Sequence, residues 1–212
     1  MPRAKAVLQS EFPYHVTARC INAEWFHIPM DQVWEIFCSE LKACCEDHRL
    51  QIHCFVLMTN HFHLIVSTPE ANISSAMQQF MYRTSRRLTR AGNRINETFA
   101  GRHYKTILTT NEYFANTYKY IYRNPIAAGI CESVEHYRYS TIYFLVSGRE
   151  PPFPIVKDPR VLKHSRETLR WLNKPIESEK AKAVSCALKH QYFKYRKAGP
   201  NRQPLIQEHE LV

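Results

Sequence analysis

Residues 59–66 read TNHFHLIV, and the preceding residues 50–58 read LQIHCFVLM. The two apolar runs meet near Thr59–Asn60 and predict a β-hairpin of two buried strands. Two polar imidazoles, His61 and His63, interrupt the second strand. Residues i and i+2 of a strand share a face, with Cα atoms roughly 7 Å apart. His61 and His63 can therefore converge on one metal ion while Phe62 and Leu64 pack on the other side. The same pattern also fits a surface histidine at the hairpin beside a hydrogen-bonded core histidine.

Outward from the hairpin, YHVTARC (14–20) alternates aromatic, β-branched and polar residues and reads as a first strand. PMDQVWEIFCSELKACCEDHR (29–49) places Val33, Ile36, Phe37, Leu41 and Cys44 at helical spacing. Downstream, NISSAMQQFMYRTSRRLTRA (72–91) predicts a second helix with Ile73, Met77, Phe80 and Leu88 inward and Asn72 or Ser74 as its cap. YKTILTT (104–110) predicts a further strand, and NEYFANTYKYIYR (111–123) a further helix that Asn124–Pro125 stops or redirects. The order β-α-β-β-α-β with a following helix predicts an α+β, ferredoxin-like fold: one antiparallel sheet with helices on one face. After Gly148 the chain turns proline-rich in REPPFPIVKDPR (149–160). A compact domain is thus expected over 1–148, followed by a basic, partly helical C-terminal extension over 149–212.

The chain has 212 residues, 44% hydrophobic and 12% aromatic, which suits one well-cored domain with an appendage. No apolar run reaches the roughly 18 residues of a membrane helix, and MPRAKAVLQSEFPYHV (1–16) carries no apolar signal segment. Seven scattered cysteines without a C-x-x-C pair indicate reduced thiols rather than a disulfide framework or zinc ribbon. A cytoplasmic protein is expected. The net charge of +10 suits a polyanionic partner, and residues 151–212 carry 13 Lys and Arg against 6 Asp and Glu.

A divalent ion on His61 and His63 needs a further ligand from the same side of the sheet. In the helix at 111–123, Phe114, Tyr118 and Ile121 form the apolar stripe, while Tyr120 and Asn124 share a face at i, i+4. A tyrosine nucleophile and an amide oxygen ligand would then sit together. Asn124 is equally the N-cap of a new helix with Pro125 at its first position. Tyr118 and Tyr122 are rival tyrosines that project differently.

These residues carry a resemblance. NHFHLIV resembles the His-hydrophobic-His signature of HUH endonucleases, and YIYRNPIAAG (120–129) resembles the tyrosine motif of their single-tyrosine transposases. Asn rather than Gln four residues after the tyrosine resembles the REP-associated tyrosine transposases within the IS200-like group. YHVTAR and GRHYKTIL (101–108) are also similar to family segments, so the resemblance spans roughly residues 1–146. Cys20 departs from it, standing where relatives often have glycine, and the basic tail matches no family pattern.

The resemblance implies that His61, His63 and Asn124 bind the metal and that Tyr120 is the nucleophile. It implies a metal-dependent single-strand DNA endonuclease and strand transferase acting on hairpin-bearing, REP-like single strands, as a monomer or homodimer, through a 5′-phosphotyrosine intermediate. Free tyrosine, with a pKa near 10, is a poor nucleophile unless assisted, and a divalent cation can neutralise phosphate charge and help the 3′-oxygen leave. Mg²⁺ is the plentiful candidate, whereas nitrogen ligands favour Mn²⁺. Arg83, Arg87, Arg90 and Arg94 follow one side of the second helix with Arg86 beside them, as a phosphate-binding face would. The tail segment HQYFKYRK (190–197) mixes aromatic and basic residues, which suits either a stacking platform or a packed helix. Two other readings compete. One is a hairpin-binding protein that does not cut; the other is a metal oxygenase, which would need a carboxylate beside the histidine pair.

Overall fold

The computed structural model describes residues 7–156 and 165–195. In chain order these form β1 (Tyr14–Arg19), α1 (Met30–His48), β2 (Gln51–Leu57), β3 (His61–Ser67), α2 (Ile73–Ala91), β4 (Tyr104–Ile107) and α3 (Asn111–Ala127). Three further helices follow: α4 (Thr141–Ser147), α5 (Ser165–Asn173) and α6 (Ser178–Ala187). The sheet has the order β2-β3-β1-β4, and each neighbouring pair is antiparallel. This is the ferredoxin-like arrangement that the element order predicts, with β1 and β3 as the central pair.

Alternation along β3 divides the protein into two cores. Phe62, Leu64 and Val66 join Tyr14, Val16 and Ala18 of β1 against α1 and α2. Ile65 joins Cys54 and Val56 of β2 against Phe114, Tyr118, Ile121 and Tyr122 of α3. The two helices of the β-α-β-β-α-β unit thus lie together on one face, and α3 covers the other. On the first face Phe37 of α1 is a hub: its ring meets Phe62 at 5.6 Å, Phe26 and Phe80 at 5.7 Å and Phe55 at 6.0 Å. Edge-on and offset ring pairs of this kind add to plain area burial.

Local chemistry differs from the expectation at two helix ends. Asn72 occupies the N-cap position of α2, but its side chain makes no capping bond; Nδ2 donates instead to the His48 carbonyl at 3.1 Å, tying the start of α2 to the end of α1. α3 neither stops nor restarts at Asn124–Pro125: it runs through Pro125 to Ala127. Proline lacks the N–H that would pair with the carbonyl four residues back. Asn124 Nδ2 supplies the missing donor, reaching the Ile121 carbonyl at 3.4 Å and that of Tyr120 at 3.0 Å. Asn124 is therefore an interior helix residue, and the N-cap reading is corrected. The true N-cap of α3 is Thr110, whose Oγ1 accepts from Tyr113 N–H.

Packing continues past Gly148. Leu172, Val184, Ala187, Leu188 and Phe193 are buried in the cluster around α3. α4 is held by Thr141, whose Oγ1 accepts from the Phe55 N–H at 2.9 Å and donates to the Phe55 carbonyl at 3.2 Å. On the outer side of β4, Ile107 N–H donates to Gln191 O and Phe193 N–H to Ile107 O. On the outer side of β2, Leu57 N–H donates to Tyr139 O, and Val156 N–H to Ile52 O. The composition break at residue 148 is therefore not a break in packing among the described residues. Of HQYFKYRK, Phe193 is buried, Tyr195 accepts from Asn116 Nδ2, and Arg196 and Lys197 lie outside the described residues. No helix of the described residues is long and apolar enough to cross a membrane.

Truncating the Phe37 hub leaves a cavity that the neighbouring rings of Phe26, Phe55, Phe62 and Phe80 cannot close. Phe37→Ala should lower the unfolding free energy by about 3–5 kcal/mol, read from urea denaturation.

Candidate functional site

The register of β1 on β3 pairs Thr17 with His63 and Arg19 with His61. Paired residues point the same way, so His15, Thr17 and Arg19 share the α3-facing side with His61 and His63. His15 and His63 are only 2% and 8% exposed, and His15 Nε2 lies 2.9 Å from His63 Nδ1. The His61 and His63 rings meet edge-on at 5.0 Å.

Hydrogen bonding constrains which nitrogens are available. Asn60 Oδ1 can only accept, so His61 Nδ1, at 2.7 Å, carries the proton and Nε2 keeps its lone pair. His63 Nδ1 shares one hydrogen with His15 Nε2, and in the tautomer in which His63 is the donor its Nε2 is likewise a bare lone pair. Burial pushes the pKa of His15 down to about 3. Burial, helped by the Arg19 charge, brings His61 down to about 4. Burial and then the neighbouring histidines and Arg19 hold His63 well below its ordinary value. All three rings are neutral at pH 7, the form in which imidazole ligates metals.

Tyr120 faces this cluster. Its ring meets that of His63 edge-on at 6.3 Å, and it is only partly buried. The rival tyrosines are fully buried: Tyr118 packs between Phe114 and Tyr122, and Tyr122 shares a 2.7 Å hydrogen bond with Thr141. Burial also raises the Tyr122 pKa well above its ordinary value, which removes it further from service as a nucleophile. Asn124 lies one turn beyond Tyr120 on the same line of α3. Because its Nδ2 is committed to the two helix carbonyls, Oδ1 is the atom left for a ligand bond.

The chemistry of the donors suits a divalent ion: two neutral imidazoles and, on α3 one turn beyond Tyr120, an amide oxygen with its Nδ2 already engaged. Among the described residues no group of three or more His, Cys, Asp or Glu side chains could hold a metal, so the carboxylate that an oxygenase triad requires is not found here.

Of the five arginines expected on the second helix, Arg83, Arg86, Arg87 and Arg90 lie on α2, whereas Arg94 lies beyond its end at Ala91, and the five divide into two sets. Arg83 pairs with Asp47 at 3.4 Å, Arg87 with Glu40 at 2.8 Å, and Arg94 with Glu24 at 3.4 Å. Arg86 instead lies over the Tyr82 ring at 5.6 Å, and no acidic partner is recorded for Arg90 among the described residues. All five line a broad open groove bounded by α2, the segment 94–103 and β4, with Lys105, Arg102 and Lys189 also on its wall. This groove belongs to the α2 side of the sheet, whereas the histidines and Tyr120 belong to the α3 side. Arg19 joins them: it lines the groove and stands opposite His61 in the sheet.

Sequence reasoning did not single out His15 or Arg19 as site residues. Their signal was present in the alternation of YHVTAR, which puts His15, Thr17 and Arg19 on one face, but only the strand register shows that this face is the one carrying the histidine pair.

Comparisons with known proteins bear on the family and the fold. The family described as IS200-like transposases matches residues 9–124, a span that contains His61, His63, Tyr120 and Asn124. No curated protein matches the sequence. A solved REP-associated tyrosine transposase bound to a REP hairpin shares the fold with a TM-score of 0.59 at 16% identity, covering 74% of this chain and 93% of that one. A putative transposase from Deinococcus radiodurans R1 gives a TM-score of 0.39 at 14% identity, covering 57% of this chain and 95% of that one. With more than half its length matched by the family and the fold shared with a solved tyrosine transposase, the chain belongs to the IS200-like transposases.

Proposed function

We propose that this transposase is a metal-dependent single-strand DNA endonuclease and strand transferase of the REP-associated kind, with Tyr120 as its nucleophile. The observation that carries the reading is the placement of the one partly buried tyrosine of the trio edge-on to His63, the buried member of a pair of neutral histidines. His61, His63 and Asn124 would hold Mg²⁺ or Mn²⁺. When bound, the ion supplies positive charge that the neutral donor set does not cancel, polarising the scissile phosphate and easing departure of the 3′-oxygen.

The chain's own residues do the rest. Asn60 holds the His61 imidazole with its Nε2 free, and His15, by accepting from His63 Nδ1, would do the same for His63. α3, continuous through Pro125, carries Tyr120 and Asn124 as one rigid unit. Tyr120 Oη attacks phosphorus, the P–O3′ bond breaks, the phenolic proton leaves, and the departing 3′-oxygen becomes a hydroxyl. A 5′-phosphotyrosine then stores the bond energy, because one phosphodiester has replaced another. Attack by a second 3′-hydroxyl reverses the step and joins strands without a nucleotide cofactor.

The substrate proposed is a hairpin-bearing single strand, as in the REP hairpin complex of the solved relative. The arginine groove is the surface offered for its phosphates. Arg86 and Arg90 are the members best able to contribute, since Arg83, Arg87 and Arg94 first have to give up carboxylate partners on this chain. The rival reading, hairpin binding without cutting, predicts no covalent product.

Three outcomes test the proposal. Wild type incubated with a labelled hairpin strand and Mn²⁺ should form an adduct that survives a denaturing gel, and Tyr120→Phe should form none while binding the strand with unchanged affinity. Adduct formation by Tyr120→Phe, or its absence in wild type, rejects the nucleophile. His63→Ala should lose the rise in melting temperature that Mn²⁺ gives wild type, yet keep hairpin affinity; retained stabilisation means the histidine pair is not the metal site. Finally, Arg86→Ala and Arg90→Ala should each reduce the slope of log affinity against log salt by about 0.7, whereas Arg83→Ala should change it less.

A further inference from the structure

On the side of α3 that faces the C-terminal helices, Lys119 is only 7% exposed, with its Nζ 5.3 Å from the centre of the Trp171 ring. No carboxylate pairs with it among the described residues: the charges that act on it, Arg123 and Lys174, are both positive. Arg123 is already occupied, since its Nη1 donates to the Leu172 and Asn173 carbonyls at the end of α5. A buried ammonium without a counter-charge is unfavourable, and one aromatic face offsets only part of that cost. Burial, then the two neighbouring cations, pushes its pKa down to about 8, so it still carries its proton at neutral pH.

Two more polar atoms beside it lack partners. Trp171 Nε1 and Asn116 Oδ1 are buried and form no hydrogen bond. Asn116, itself 3% exposed, is held by its Nδ2, which donates to Tyr195 Oη at 3.1 Å. Lys119, Trp171 and Asn116 line one pocket between α3, α5 and the start of α6. Its rim adds Arg170, Lys174 and Lys180, against the carboxylates Glu167 and Glu177, of which Glu177 is paired with Lys180 at 3.6 Å. An ammonium and an indole N–H are a donor pair for an oxyanion, and Asn116 Oδ1 offers an acceptor for an adjoining base amino group.

We infer that this pocket is a phosphate-binding site for a nucleotide of the DNA strand, separate from the arginine groove. Asn116 stands one turn before Tyr120 on α3, about 6 Å along the axis, so the pocket belongs to the nucleophile's own helix rather than to the α2 side of the sheet. Its assignment to DNA rests on the proposed nuclease function; its affinity for phosphate does not.

The test uses the full chain. Sodium phosphate should raise the melting temperature beyond sodium chloride of the same ionic strength, with half-effect at millimolar phosphate or below. Lys119→Met should abolish that excess. Trp171→Phe, which keeps the ring beneath Lys119 and removes only the N–H, should shift the half-effect to higher phosphate, and Arg90→Ala should leave it in place. No excess over chloride, or an excess that survives both Lys119→Met and Trp171→Phe, overturns the site. The source of the phosphate is then read from strand binding in a Tyr120→Phe background, where nothing is cut. Adding Lys119→Met should weaken affinity for a hairpin with a single-stranded flank by about ten-fold, and inorganic phosphate should compete. Equal affinity with and without Lys119 overturns the DNA assignment, whereas failure of wild type to form the Tyr120 adduct bears on the nuclease reading alone.

Discussion

The pairing of β1 with β3 is the constraint on which the rest depends. Thr17 stands opposite His63, and Thr17 Oγ1 donates to the neighbouring Phe62 carbonyl at 2.6 Å. In that register Phe62 enters the ring cluster around Phe37, and His63 meets His15. Strand side chains alternate, so a slip of one residue would drive His63 into the aromatic core and Phe62 onto the α3 side. Apolar packing on one face thus specifies where polar groups lie on the other. The candidate site inherits its precision from a core it does not touch.

The charge of the protein is partly spent internally. A net +10 suggests a uniformly attractive surface, but Arg83 and Arg87 of α2 and Arg94 just beyond it are paired with acids of α1 and of the turn after β1. The exposed Arg83–Asp47 pair contributes little to stability, whereas Arg87 supplies the counter-charge of the buried Glu40, and all three pairs moderate the potential along one wall of the groove. Among the described residues, the cations left without such partners include Arg86 and Arg90 on α2, Arg19 at the end of β1, and Lys119. A polyanion would therefore meet discrete positive points on both sides of the sheet.

Much of the fold was legible in the sequence because its signals are local. The hairpin at residues 50–67, the helical spacing of Val33, Ile36, Phe37 and Leu41, and the element order were enough to give the sheet and its two-helix layer. The histidine pair and the Tyr120–Asn124 spacing were local too. Whatever depended on distant partners was not legible. Asn–Pro is ordinarily a boundary signal, and only the side-chain bonds from Asn124 to the Tyr120 and Ile121 carbonyls explain why α3 ignores it. α4 has seven residues and is anchored by Thr141 to Phe55, 86 positions away. His15 meets His63 across 48 positions, and the acids that occupy the arginines lie on other elements. Such contacts are created by the fold and leave no periodic trace.

The segments that border the sheet have one more consequence. Open strand edges are templates for another chain, and proteins with uncovered edges are prone to aggregation or to exchange of strands. Here residues 139–141 and Val156 lie along the outside of β2, and Gln191 and Phe193 along the outside of β4. Both margins of the sheet are thereby occupied by the chain's own later residues. A protein shortened to residue 148 would bare the backbone of β4 and part of that of β2 and expose Leu108 and Phe114, so its first failing would be loss of solubility rather than loss of chemistry. The later residues act in this respect as an intramolecular chaperone for the fold that precedes them.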